Sequence, residues 1–149
     1  MKNKVVFVTG GTSGIGKATA ITLAAKGATV VIGARREKVG QEVVNEIQMS
    51  GNKAEFVKLD ISQEENVKQV IQSIIDKHGK LDLAVNNAGI AQLPTALIET
   101  KMEVFQNVLQ TNVLGTFLCM KYEIQHMLKN GAGAIVNVSS ITGVKALAS

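Results

Sequence analysis

The 149-residue sequence contains no tryptophan, one tyrosine, one cysteine and one proline. A single cysteine, Cys119, excludes an intrachain disulfide and a cysteine zinc site. Its apolar setting in "GTFLCM" suits buried filler rather than a reactive thiol. Aromatic residues make up only 3%, so the stacking platforms that grip single-stranded nucleic acid are missing. An excess of one charge is also missing: 16 Lys and Arg against 12 Asp and Glu leave +4, with the basic residues scattered. A specific anionic ligand accounts for that balance at least as well as a polymer does, and no nucleic-acid partner is expected. Long apolar runs are absent too. "ATVVIGA" from Ala28 is far too short to span a bilayer, and "MKNKVVFVTGG" turns to Thr and Gly too soon for a secretory leader. The expectation is a cytoplasmic chain without a membrane partner, and the length fits one domain, 1–149.

What is present is an alternation of short strand-like runs and longer helical periods. Strands are predicted at 4–9, 28–33, 54–59, 81–86 and 134–139. The first, second and fifth are short and rich in Val and Ile, as strands buried on both faces should be. Helices are predicted at 14–26, 37–49 and 64–77, where apolar residues such as Val67, Val70, Ile71 and Ile74 recur at helical spacing. Ser62 with Glu65 three places on suggests a capping box before the third helix. A longer helix is predicted over about 101–129, burying Phe105, Leu109, Thr116, Cys119 or Met120, and Ile124. Asn112 falls on the same stripe, and a buried amide left unbonded costs about 1–3 kcal/mol. Strands separated by helices of these lengths imply an α/β fold with a doubly wound parallel sheet.

The chemistry gathers at strand ends. "TGGTSGIGKA" places Gly10, Gly14 and Gly16 between the first strand and its helix. Gly10 permits a tight turn, and Gly14 and Gly16 let the backbone approach a pyrophosphate held by the helix N-terminus. After the second strand an acidic residue would read a ribose 2′-hydroxyl. Here "IGARRE" puts Ala34 in that place, followed by Arg35 and Arg36. Guanidinium forks match a 2′-phosphate, which favours NADP(H) over NAD(H), with Arg35 the first-choice contact. Asp60 ends the third strand as either a turn residue or a ligand contact. "NNAG" at 86–89 ends the fourth as either a polar turn or a cleft lining.

"TGGTSGIG", Leu59–Asp60, "NNAG", the Asn in "LQTNVLGTF" and "GAIVNVSS" come in the order and spacing of the short-chain dehydrogenase/reductase family, which the whole chain resembles. The resemblance implies a nicotinamide-dependent oxidoreductase on a Rossmann-type sheet, acting on a small alcohol or ketone, and a homo-oligomer. It assigns Gly10, Ser13, Gly14, Ile15 and Gly16 to the pyrophosphate and Asp60 with Ile61 to the adenine. Asn87, Ala88 and Gly89 go to the ribose region, and Asn86 looks like a brace for the sheet. Asn112 either satisfies a neighbouring backbone group or, as in the family, holds a water in a proton relay. Ser140, the second serine of the "SS-x-x-G" pattern with Ile141, Thr142 and Gly143 after it, is the implied substrate-orienting hydroxyl, and Ser139 a brace for the strand end.

The family's Tyr-x-x-x-Lys pair is missing. Tyr122 is followed four residues on by His126 and precedes the serines. Neither His78 nor His126 suits catalysis, because both fall near predicted helix ends. The expectation is therefore a truncated Rossmann-type domain of five strands, incomplete at its C-terminal side and inactive by itself. A non-catalytic dinucleotide sensor or scaffold is the alternative.

Overall fold

Five runs of the sequence form strands in the computed structural model, which describes residues 1–92 and 95–141. They are β1 (Val5–Thr9), β2 (Thr29–Ala34), β3 (Lys53–Lys58), β4 (Leu83–Asn86) and β5 (Ala134–Asn137). The sheet is parallel throughout, in the order β3-β2-β1-β4-β5. The chain therefore steps outward from β1 to β3, then returns to place β4 on the other side of β1. That reversal makes the β1–β4 boundary the topological switch point, where open α/β sheets leave a crevice beyond the strand ends.

The period-2 geometry of β1 sends its side chains into two separate cores. Val5 and Phe7 join Val67, Ile71, Ile74, Leu118 and Cys119 on one face. Val6 and Val8 join Ala20, Ala24, Val43, Val44 and Ile47 on the other. The second group comes from α1 (Gly14–Ala25) and α2 (Glu37–Met49), and the first from α3 (Glu64–His78) and α5 (Thr116–Lys129). This is the doubly wound Rossmann-type architecture expected from the alternation of strands and helices. Full burial of each such Val or Ile is worth about 1.5–3 kcal/mol, so β1, whose residues are all buried, anchors both layers. β5, expected to be buried on both faces, instead lies at the sheet edge with a neighbour on one side alone among the described residues, and is largely exposed, with Val136 at 55%. No described helix is long and apolar enough to cross a membrane.

Two further local expectations fail for physical reasons. Ser62 does not cap α3, which starts after Gln63. Its hydroxyl and its N–H both donate to Asp60 Oδ1 instead, at 2.7 and 3.0 Å. The long helix over 101–129 also departs from a uniform period. It runs as α4 (Met102–Val108), a π-helical segment (Leu109–Gly115) and α5. A π turn adds residues to the helical repeat and rotates the helix beyond it. A stripe extrapolated at 3.6 residues per turn therefore slips. Phe105, Leu109 and Ile124 are 51%, 43% and 45% exposed, while Gly115, Leu118, Cys119, Glu123 and Met127 are buried.

One close packing contact tests the α2–β3 layer. Gly40 is buried in α2, and a Cβ there would overlap the Phe56 ring of β3. Helix propensity alone would make Gly40→Ala stabilising by about 1 kcal/mol. The contact predicts the opposite, a loss of about 1–3 kcal/mol in urea unfolding. Unchanged or greater stability would mean that the Phe56 ring moves aside freely.

Candidate functional site

The C-terminal ends of four strands open into one cleft of about 920 Å³. Gly10, Thr12 and Ser13 line it from the β1–α1 turn, and Gly33 to Arg36 from the end of β2. Leu59 to Ser62 enter from beyond β3, Asn87 to Ile90 from beyond β4, and Asn107, Gln110 and Thr111 from α4 and the π segment. Of the residues selected from the sequence, the cleft thus gathers Gly10, Ser13, Arg35, Asp60, Ile61, Asn87, Ala88 and Gly89. Gly14, Ile15 and Gly16 form the first turn of α1 beside it. Asn112 and Ser140 are not among the lining residues.

The turn after β1 is shaped by what a side chain would strike. Gly10 has φ +69, and a Cβ there would come within 2.8 Å of Ala88 Cα. A Cβ on Gly16 would meet the carbonyl of Gly10 at 2.5 Å. Only glycine at these places lets α1 begin this close to the end of β4. Ser13, the N-cap of α1, makes no side-chain capping bond, and no acidic residue lies in the first turn. By contrast, α2 starts with Glu37, and α3 with Glu64 and Glu65. The positive end of the α1 dipole thus keeps its capacity for an external anion.

Across the cleft, the loop after β4 is held by side chains. Thr9 is 1% exposed, and its hydroxyl oxygen accepts from the N–H groups of Asn87 and Ala88, both at 3.1 Å. The Asn87 amide donates to the carbonyls of Thr9 and Gly10, both at 3.2 Å. Asn112 grips Ile90 twice: its Oδ1 accepts from the Ile90 N–H at 2.9 Å, and its Nδ2 donates to the Ile90 carbonyl at 2.8 Å. Its own carbonyl, inside the π segment, accepts from the Thr116 hydroxyl at 2.9 Å. Asn86 is buried and donates to Glu123 and Asn137, each at 3.0 Å, joining β4 to α5 and β5.

The rim beyond β2 is basic. Arg35 and Arg36 are exposed, and Arg36 Nη2 reaches Thr12 Oγ1 at 3.4 Å. Asp60 serves its turn and faces the cleft together: its N–H donates to Asn66 Oδ1 at 2.8 Å, while its carboxylate holds Ser62. Gln110 donates to the Ser62 carbonyl at 3.1 Å, tying the π segment to this turn.

The remaining candidates lie elsewhere. Ser140 is exposed beyond the end of β5, and residues 142–149, with Thr142 and Gly143, lie outside the described residues. Tyr122 donates to Glu64 at 2.8 Å, and His78 pairs with Glu55 at 2.7 Å. Burial pushes the Cys119 thiol well up from its ordinary value, as an inert filler requires. Among the described residues no group of three or more His, Cys, Asp and Glu could hold a metal.

Sequence reasoning missed Thr9, Thr12, Asn107, Gln110, Thr111 and Glu123. Thr9 left a readable signal, a lone hydroxyl ending a fully apolar strand directly before Gly10. Asn107, Gln110 and Thr111 left none, because a polar helix face reads as solvated.

The model of the short chain dehydrogenase family matches residues 4–149, and the chain belongs to that family. It is 43% identical over 145 residues to a 2,5-dichloro-2,5-cyclohexadiene-1,4-diol dehydrogenase of Sphingobium indicum, covering 97% of this chain and 57% of the relative. It is 44% identical over 142 residues to a 3beta-hydroxysteroid dehydrogenase of Mediterraneibacter gnavus, covering 95% and 51%. The chain thus spans about half the length of these curated relatives. A metagenomic short-chain oxidoreductase solved in complex with NADP superposes with a TM-score of 0.94 at 30% identity, covering 99% of this chain and 67% of that one.

Replacing the Thr9 hydroxyl strands two backbone donors at the switch point. Thr9→Val should cost about 1–3 kcal/mol in chemical denaturation, and Thr9→Ser should recover most of it. Equal losses in the two variants would show that the methyl group, not the hydroxyl, holds the loop.

Proposed function

We propose that this chain forms the cofactor-binding part of an NADP(H)-preferring oxidoreductase that interconverts a secondary alcohol and a ketone. The observation that carries the reading is the start of α1. Its first turn has no side-chain cap and no acidic residue, and it opens beside a cleft rimmed by two arginines. A dinucleotide phosphate is the class of ligand that would use both features.

The residues present fit such a ligand. The backbone from Gly10 through Ser13, Gly14, Ile15 and Gly16 would hold the pyrophosphate, and Asp60 with Ile61 the adenine end. Asn87, Ala88 and Gly89 would border the ribose on the nicotinamide side. Arg35, or Arg36 working with Thr12, would hold the 2′-phosphate. When bound, the nicotinamide supplies the hydride chemistry.

The chain's own residues would position and polarise. Ser140 would donate a hydrogen bond to the substrate oxygen. Both polar groups of the Asn112 side chain are engaged on Ile90. A relay water would meet its main-chain carbonyl, which accepts from Thr116 and has a second lone pair. The 149 residues contain no Tyr-x-x-x-Lys, so the proton transfer needs a group that they do not supply.

A homo-oligomer and a cytoplasmic location belong to the same reading. Phe105, Val113, Phe117, Ile124 and Leu128 expose apolar surface along α4, the π segment and α5, and a second copy would cover it.

Fluorescence titration tests the cofactor assignment. NADPH should bind at least about tenfold tighter than NADH, since hydrogen bonds to a charged group are worth about 1.5–3 kcal/mol. Arg35→Asp should reverse the order. If Arg36→Asp reverses it and Arg35→Asp does not, Arg36 is the contact. A wild-type preference for NADH would overturn the NADP(H) reading.

A further inference from the structure

A buried carboxyl with no part in the cleft stands behind β4. Glu123 of α5 is 0% exposed, and among the described residues it forms no ion pair. Its one hydrogen bond there comes from Asn86 Nδ2 at 3.0 Å, and the same nitrogen donates to Asn137 Oδ1 at 3.0 Å. Among the described residues two buried side-chain atoms remain without partners: Asn86 Oδ1 and Glu123 Oε1. With the carboxyl ionised, both atoms are acceptors and neither can satisfy the other. They belong to two groups already joined by one bond, so a single proton on the carboxyl can serve both. The Asn86 bond favours the ionised form, but burial outweighs it and pushes Glu123 up to about 7.

We propose that Glu123 is held as the un-ionised acid, donating from Oε1 to Asn86 Oδ1. This closes a ring of two hydrogen bonds that fixes the end of β4 and the cleft loop 87–90. Glu123 is then a positioning residue. Its effect on nucleotide binding rests on the cofactor reading above, but its protonation does not. The path to the cleft is short, because the residue after Asn86 is Asn87, which is tied to Thr9 and Gly10.

Few other charges bear on the group. Asn86 faces it from β4, with Asn137 of β5 behind. Cys119, one turn earlier in α5, is the titratable neighbour whose thiol responds to the Glu123 charge. The acidic groups of α3 that act on α5 do so elsewhere, Glu64 on Lys121 and Tyr122 and Asp76 on His126.

Because burial raises the value, the native state holds a proton that the unfolded chain releases above about 4.5. The associated stability is complete below that pH and is lost as pH rises to about 7, beyond which it stays lost. Within the native state, the ring itself opens as pH passes through about 7.

Glu123→Gln tests the ring, because an amide reproduces the donor and the acceptor of the neutral acid and cannot ionise. Infrared difference spectroscopy of the wild-type protein should show a protonated-carboxyl band that disappears as pH rises through about 7 and is missing from E123Q. The folding constant of wild type should fall relative to E123Q by on the order of tenfold to a hundredfold between pH 4.5 and about 7 and run parallel above that. NADPH affinity should weaken several-fold in wild type as pH passes through about 7 and stay level in E123Q. A wild-type carboxyl already ionised at about pH 6, or stability that runs parallel in the two proteins at every pH, would overturn the proposal. The band titration needs no variant and no nucleotide. If NADPH fails to bind at any pH, the cofactor reading falls, while the band still decides the state of Glu123.

Discussion

The cleft exists because two neighbouring parallel strands part at their ends, and the parting leaves backbone groups without a ladder. β1 and β4 pair only as far as Thr9 and Asn86. Beyond that point the N–H groups of Asn87 and Ala88 and the carbonyls of Thr9 and Gly10 would lie partly buried and unpaired, at a cost comparable to lost hydrogen bonds. The Thr9 hydroxyl takes the two donors, and the Asn87 amide takes the two acceptors. Four backbone groups are satisfied by two side chains, so the loop can leave the sheet without collapsing onto it. The close approach of α1, the width of the crevice and the position of Gly89 all depend on this exchange.

The same logic continues away from the sheet. Ile90 is the next residue needing a partner, and Asn112 meets both of its backbone groups. An asparagine in a helix can do this without weakening the helix because the helix is locally π-wound there, with Thr116 supplying the Asn112 carbonyl with a donor. Gly115 then lets the segment pack tightly on Ile61, whose side-chain carbons would lie 2.7 Å from an added Cβ. The π segment is therefore fixed to two loops of the cleft, to Ile90 through Asn112 at its middle and to Ile61 through Gly115 at its end.

The sheet, its helices and the strand-end motifs were legible because burial writes them directly. β1 and β2 are apolar on both faces, and α2 and α3 show clean helical spacing. The π segment was not legible. Its residues keep helix-compatible types, and a change of winding leaves no compositional trace. The slip of the buried stripe beyond the π segment, which leaves Ile124 exposed and buries Glu123 and Met127, arose from that. The capping box failed for a related reason: Ser62 has two possible partners, and Asp60, fixed through Asn66, takes its hydroxyl. Part of the cleft was legible at strand ends, where Gly10, Ser13, Arg35, Asp60, Ile61, Asn87, Ala88 and Gly89 line it. Glu123 was hidden, because a glutamate between Tyr122 and Ile124 reads as one more charge on a solvated helix face.

The electrostatics of the three helix starts give direction to the whole edge. α2 and α3 begin with their own carboxylates, which neutralise the exposed N–H groups from within the chain. α1 has no acidic residue in its first turn and no side-chain bond at its N-cap. Arg35 and Arg36 add positive charge on the adjoining rim, and among the described lining residues Asp60 is the one carboxylate. That carboxylate is already committed to Ser62. Among the described residues no internal group therefore balances the field where α1 begins. A fold that neutralises two helix ends and leaves the third open beside two guanidinium groups is arranged for an anion that arrives from solution.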